Sequence, residues 1–209
     1  MKKINKIIPA ACLLALASCG GSGSSNSGGS STGPAEDPTE EMQATEGTYK
    51  AILRPYNFTV AGWIPNGMTD IKIMGDKIEV KSWLDDAANV VHMQNIHLGT
   101  QCPTIANDSN KDGFVDFQES VQVSKQILLQ LDSDLDSQSE LSVYPRGNFT
   151  YFQTASLSSL IPLNLEGKVI IVTGAAADRG LPATVGQFNN QTREASIPIA
   201  CGVIERMPD

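Results

Sequence analysis

The stretch Asp108-Ser109-Asn110-Lys111-Asp112-Gly113-Phe114-Val115-Asp116-Phe117-Gln118-Glu119 has the residue types and spacing to do chemistry. It fits the calcium-loop pattern D-x-[DN]-x-[DN]-G-x5-E at every defined position. A hard cation such as Ca2+ takes about six to eight oxygen ligands in a flexible arrangement. Asp108, Asn110 and Asp112 offer side-chain oxygens at alternate positions, and Gly113 permits the sharp turn. The Phe114 carbonyl supplies the seventh position, and Asp116 acts at the ninth directly or through water. Glu119, brought round by the start of a helix, binds bidentately. Val115 is the apolar residue at position eight, where such a loop packs on its neighbour. Carboxylates this crowded repel one another without a cation, so Ca2+ is the expected cofactor. The competing reading is an acidic, solvated turn.

The elements around the loop restrict what it does. Phe117 to Leu131 is the one helix candidate, with Val121, Leu128 and Leu131 as its inner stripe. The segment before the loop, Gln101 to Ala106, is short and broken by Pro103. A full EF-hand has a helix there, so only the exiting helix is expected. A single loop without a partner suits holding structure better than sensing cytosolic pulses, and extracellular modules of this type bind at ~10⁻⁴–10⁻³ M. Asp132, Asp134 and Asp136 repeat the first three ligand positions, but Ser137 stands where Gly belongs and Val143 where Glu belongs. An acidic surface loop is the expected reading there, with a second ion as the alternative.

Counting limits chemistry elsewhere. The chain has 209 residues, 15 basic and 23 acidic side chains, 2 His and 4 Cys. Two imidazoles exclude any mechanism that needs three, and no nucleophile elbow sets up Ser-His-Asp catalysis. The formal net charge of −8 argues against nucleic acid as a partner, because neutralising phosphates takes clustered Lys and Arg. An apolar content of 41% is enough for a packed core. No apolar run approaches the ~20 residues that span a bilayer.

The N-terminus reads as an address. Lys2, Lys3 and Lys6 precede an apolar stretch from Ile7 to Ala17, which has signal-peptide length. It ends Leu16-Ala17-Ser18-Cys19-Gly20, which resembles the lipobox of bacterial lipoproteins. The resemblance implies that residues 1–18 are a signal peptide and that Cys19 is the lipid-attachment site. Ordinary secretion is the alternative, since Ala15-Leu16-Ala17 also fits a cleavage site. Several acyl chains on one Cys anchor a protein stably to a membrane. Gly20 rather than Asp after the Cys goes with the outer membrane of a Gram-negative envelope. From Gly20 to Gly33, twelve of fourteen residues are Gly or Ser. Pro34 to Gly47 then adds five acids and no base, so residues 19–47 are expected to form a flexible tether. Removing residues 1–18, which hold three lysines and no acid, takes the net charge to −11.

Residues 48–209 read as an all-β domain. Tyr49–Arg54, Lys77–Lys81, Val90–Leu98, Phe149–Gln153, Val169–Thr173 and Ile197–Ile204 have strand character, with Ile197, Ile199, Cys201 and Val203 sharing one face. Asn66-Gly67, Gly75-Asp76 and Arg146-Gly147 read as turns. Many short strands with one short helix after the calcium loop predict a β-sandwich or barrel. With Cys12 and Cys19 in the leader and anchor, Cys102 and Cys201 remain. In an exported protein the pair reads as a disulfide, with two buried free thiols as the alternative. Asn57, Asn148 and Asn190 begin N-x-T sequons, which carry little weight behind a bacterial signal.

Three blocks, in order, resemble the copper/zinc superoxide dismutases. Asn95-Ile96-His97 with Cys102 is similar to their His-x-His strand and first disulfide Cys. Gly167 to Thr173, followed by Ala177-Asp178, is similar to a later ligand strand and its acidic loop. Ile199-Ala200-Cys201-Gly202-Val203-Ile204 is similar to their C-terminal strand. The resemblance implies an eight-stranded Greek-key β-sandwich. It also implies a copper held by four His and a zinc held by further His and Asp, which this chain cannot supply. Asn95 and Thr173 stand at ligand positions, Pro198 stands where the steering Arg belongs, and no His follows His97. The calcium loop falls where the family keeps its zinc ligands, so calcium reads as a structural replacement.

The expected function is therefore that of a calcium-binding, non-catalytic envelope lipoprotein, not an enzyme, acting as a binding or structural module. Its partners are the membrane, through the anchor, and an unidentified protein or small-molecule ligand. The alternative is a copper-binding or residual redox protein using His92, Met93 and His97. In an unbroken strand Met93, Asn95 and His97 share a face that His92 does not, so this needs a bulge. A third reading uses Trp63 or Trp83 to bind a ligand, though either suits a core equally.

Overall fold

A computed structural model describes residues 45–58, 64–135, 145–157, 164–176, 180–188 and 191–208. All fall within Glu40–Asp209, the second of the two units into which the chain divides. Residues 1–18, Cys19 and the tether up to Ala44 lie outside the described residues, as do Trp63, Asp136, Asp178 and Asn190.

Eight strands form one curled, antiparallel sheet. They are β1 (Gly47–Pro55), β2 (Asn66–Met74), β3 (Lys77–Asp85), β4 (Gln94–His97), β5 (Ile127–Gln130), β6 (Phe149–Ser156), β7 (Val169–Thr173) and β8 (Pro198–Arg206). Their order across the sheet is β5-β4-β7-β8-β1-β2-β3-β6. The chain crosses from one half of this order to the other between β3 and β4, between β5 and β6, and between β6 and β7. The fold is thus all-β and sandwich-like. Two helices are described, α1 (Phe117–Ser124) and the single turn α2 (Arg193–Ser196). Neither is long and apolar enough to cross a membrane.

Alternation builds the core. Tyr49, Ala51 and Leu53 of β1, Ile71 and Ile73 of β2, and Ile78, Val80 and Leu84 of β3 point inward. Ile96, Leu129, Ile170 and Val172 meet them from the other half. Burying each such side chain stabilises by roughly 1.5–3 kcal/mol. The sheet's outer strands are tied across rather than laddered. The Tyr151 hydroxyl of β6 donates to the Asp132 carbonyl just after β5 (2.6 Å), and the Gln153 side chain donates to the Ser133 carbonyl.

Four sequence expectations change. The predicted helix Phe117–Leu131 stops at Ser124, because Lys125 takes a left-handed conformation at φ 64°. Ile127–Gln130 then becomes β5, paired with β4. Asn66-Gly67 is not a turn but the start of β2, paired with Asp85 and Leu84. Glycine is needed at 67 because a Cβ there would run into the Trp83 carbonyl. Order begins before the expected end of the tether: Gly47 pairs with Ile73, and the Tyr49 hydroxyl donates to the Thr45 carbonyl. Finally, β8 does not keep Ile197, Ile199, Cys201 and Val203 on one face. The register slips where Val172 faces Ala200 but Thr173 faces Pro198, leaving Ile199 as the extra residue. Such a bulge reverses the alternation beyond it. Ile199, Ala200 and Ile204 therefore enter the core, and Cys201 turns to the other face with Val169 and Ile171.

Candidate functional site

That reversal lets Cys201 meet the loop leaving β4. Cys102 and Cys201, 99 residues apart, are joined in a disulfide. It anchors the start of the 102–116 connection on β8.

The acidic loop folds around its own carboxylates. Asp108 accepts from the N–H groups of Asp112 (3.2 Å) and Gly113 (2.8 Å), so the first turn wraps its side chain. Asn110 accepts from Asp112 N–H at 2.9 Å, and Asp112 from Phe114 N–H at 3.1 Å. Gly113 sits at φ 92°, a conformation open to glycine. Glu119 returns across the loop: Oε1 accepts from the Ser109 N–H and hydroxyl, both at 2.8 Å, and from Asn110 N–H at 3.2 Å. The last residue of the motif thus bonds the two residues that follow the first. Asp116 caps α1, accepting from Glu119 N–H at 2.9 Å, while Glu119 Oε2 accepts from Asp116 N–H at 3.1 Å. This reciprocal pair is a capping box, and both residues are buried.

Residues far away in sequence brace the loop. The Asn57 side chain accepts from Val115 N–H (3.1 Å) and donates to the carbonyls of Val115 (2.8 Å) and Pro198 (3.0 Å). Thr184 donates its hydroxyl to Asp112, and Gly186 its N–H to Asp116, each at 2.6 Å. None of these three carries a sequence signal for the loop; Asn57 reads only as a sequon. Beside the loop lies an apolar groove of about 450 Å3 lined by Tyr56, Phe58, Pro103, Ile105 and Gly113, with Phe58 and Ile105 exposed.

The donor set suits a hard cation. Asp108, Asn110, Asp112, Asp116 and Glu119 present only oxygens, and each carboxylate has about four acceptor positions, more than the backbone N–H groups occupy. Among the described residues no group of three His, Cys, Asp or Glu side chains is gathered as a metal centre; the loop's carboxylates are turned to backbone N–H groups instead. Asp132 is buried and Asp134 exposed.

The two histidines bond to different partners. His92 lies before β4, with Nδ1 3.0 Å from the Thr173 carbonyl and Nε2 2.8 Å from the Ala88 carbonyl. His97 Nδ1 lies 2.9 Å from the Lys125 carbonyl, which makes it the donor and leaves the buried Nε2 as a lone pair without a partner. Burial lowers the pKa of both rings, partly opposed by these carbonyls. Asn95 and Thr173 are wholly buried, and Met93 nearly so. Trp83 is half-buried on β3. No protein-family description matches this chain, and no curated protein matches it in sequence.

Proposed function

We propose that residues 48–209 form a calcium-stabilised, non-catalytic module of a lipid-anchored bacterial envelope protein. Asp108, Asn110, Asp112, the Phe114 carbonyl, Asp116 and Glu119 hold the ion. The module binds or braces other envelope components. The closure of the loop carries the reading: the Glu119 carboxylate accepts from Ser109 and Asn110, next to Asp108, so the last carboxylate of the motif lies beside its first residues. The strand order and the Cys102–Cys201 bond support the likeness to the copper/zinc superoxide dismutases. The absence of catalysis is supported by both His92 nitrogens facing carbonyls and by Asn95 and Thr173 at ligand positions. Calorimetric titration of the purified chain with Ca2+ tests the proposal. One site per chain, lost in Glu119→Gln, is the expected result; no heat of binding at millimolar Ca2+ refutes it.

A further inference from the structure

Strand register puts three polar residues on one face of the β4–β7 pair. Asn95 lies opposite Ile171 and His97 opposite Val169, while the Thr173 N–H donates to the Met93 carbonyl. Val169 and Ile171 face Cys201, away from the main core, so Asn95, His97 and Thr173 share that face. Helix α1 covers it: the Ser124 hydroxyl lies 3.3 Å from His97 Nδ1, the His97 and Phe117 rings are 6.0 Å apart, and Phe117 stacks on Phe188 at 3.9 Å. None of the three polar residues has exposed surface. Yet both amide atoms of Asn95, Nε2 of His97 and the Thr173 hydroxyl bond to no protein group. Each buried polar atom left unbonded is destabilising, so such a cluster calls for a partner outside the protein's own bonds. Gln94, whose amide is likewise unbonded, lies opposite Val172 and faces the core, so it is not part of this cluster.

We propose that the layer between β4–β7 and α1 is an internal hydration site, where resident water donates to His97 Nε2, accepts from the Asn95 amide N–H, and bonds Asn95 Oδ1 and the Thr173 hydroxyl. The inference goes beyond the calcium reading and does not rest on it. The mix of donors and acceptors selects water. His97 Nδ1 donates to the Lys125 carbonyl, so Nε2 is an acceptor. Asn95 brings N–H donors beside an acceptor oxygen, and the Thr173 hydroxyl serves either way. An anion would meet the Nε2 lone pair, and a hard cation would meet the amide N–H groups. Water donates and accepts at once, and a buried water typically makes about three bonds to groups otherwise unpaired. The spacing also suits it. Residues two apart on a strand are separated by roughly 6.6 Å, close to the span of a water bridge built from two bonds of ~2.8 Å.

The test is water-selective NMR of the isotope-labelled full chain, with thermal melts of Thr173→Val and Thr173→Ser. In wild type the Asn95 side-chain amide should show NOE and ROE cross-peaks to water of opposite sign, the signature of a resident water. The same peaks should persist in Thr173→Val, which has no hydroxyl to relay exchange from solvent. That variant should melt several degrees below wild type, because it strips the water of a partner, while Thr173→Ser stays near wild type. A dry layer predicts the opposite sign: Thr173→Val removes an unbonded hydroxyl and melts above wild type. A raised melting temperature in Thr173→Val, or an Asn95 amide without water cross-peaks, overturns the site. If Thr173→Val does not fold, the cross-peaks of wild type and Thr173→Ser decide the matter. Stoichiometric metal in the purified chain, lost in His97→Ala, also overturns the site by giving the layer a different occupant.

Discussion

Asn57 pairs with Val115 as a strand partner would, its side-chain amide accepting from the Val115 N–H and donating to the Val115 carbonyl. Val115 is fully buried at position eight of the loop, where a second backbone segment would otherwise satisfy it. One side chain thus does the work of a neighbouring loop, and its third bond, to Pro198, ties the arrangement to β8.

Removing that amide should therefore be felt. Asn57 sits at φ 48°, so Asn57→Gly deletes the side chain without adding backbone strain. Three backbone groups, the Val115 N–H and the carbonyls of Val115 and Pro198, then lose this partner, at about 1–3 kcal/mol for each group left unsatisfied. Urea unfolding should show a loss of roughly 2 kcal/mol or more by that reckoning. A change below about 0.5 kcal/mol, the scatter of ordinary surface substitutions, would remove Asn57 from the account.

Calcium should stabilise the fold in proportion to its occupancy. A ligand bound only by the native state contributes RT ln(1 + [L]/Kd), about 1.4 kcal/mol at tenfold over Kd. Millimolar Ca2+ should raise the melting temperature of wild type and leave Asp108→Asn nearly unmoved. Equal melting curves in Ca2+ and in chelator would reduce the loop to a self-bonded turn.

What was legible in the sequence was local. The twelve-residue loop motif is contiguous in the chain, and β7 falls on the predicted Val169–Thr173. Helix α1 was overextended because Leu128 and Leu131 keep a helical spacing from Val121, and only pairing with β4 makes them strand. β2 was hidden because Asn-Gly is a turn signal when read alone, whereas here Gly67 answers a close approach by β3. The bulge opposite Thr173 leaves no mark in local pattern, yet it decides which way Cys201 faces. The Asn57–Val115 pair joins residues 58 apart, beyond any local spacing rule.

The disulfide should be a major part of stability. It closes about a hundred residues, for which the chain-entropy model gives ~4.7 kcal/mol, and loss of a native bond in a small exported domain costs about 2–5 kcal/mol. Cys102→Ser, Cys201→Ser and the double variant should be about equally destabilised, since each breaks the same bond. Additive losses in denaturant titrations would show that the two sulfurs act independently.

Stability should also fall on mild acidification. Burial holds His92 and His97 below the imidazole value of about 6.5 that they regain on unfolding. A depressed folded pKa means the unfolded chain binds protons first. The contribution is thus complete above about pH 6.5 and is lost as pH falls through the folded values. His97 has the clearer structural reason, because a proton on Nε2 would be buried with no acceptor. Unfolding free energies measured from pH 7.5 to 5.5 should decline, and His97→Gln should flatten part of the slope. An identical slope in that variant would acquit His97.

Superoxide turnover should be absent. Dismutation requires one copper held tightly in two oxidation states, and copper(II) favours several imidazoles in a tetragonal arrangement. On the proposed resemblance, Asn95 and Thr173 stand at ligand positions with an amide and a hydroxyl, and Pro198 stands where a steering arginine would be. His97 has one nitrogen without a partner, but both nitrogens of His92 face carbonyl oxygens. An acidic head also repels an anionic substrate instead of drawing it in. Protein reconstituted with copper and zinc, then passed over chelator, should give no more turnover than buffer treated in the same way. Activity that survives the chelator and vanishes in His97→Ala would restore the copper reading.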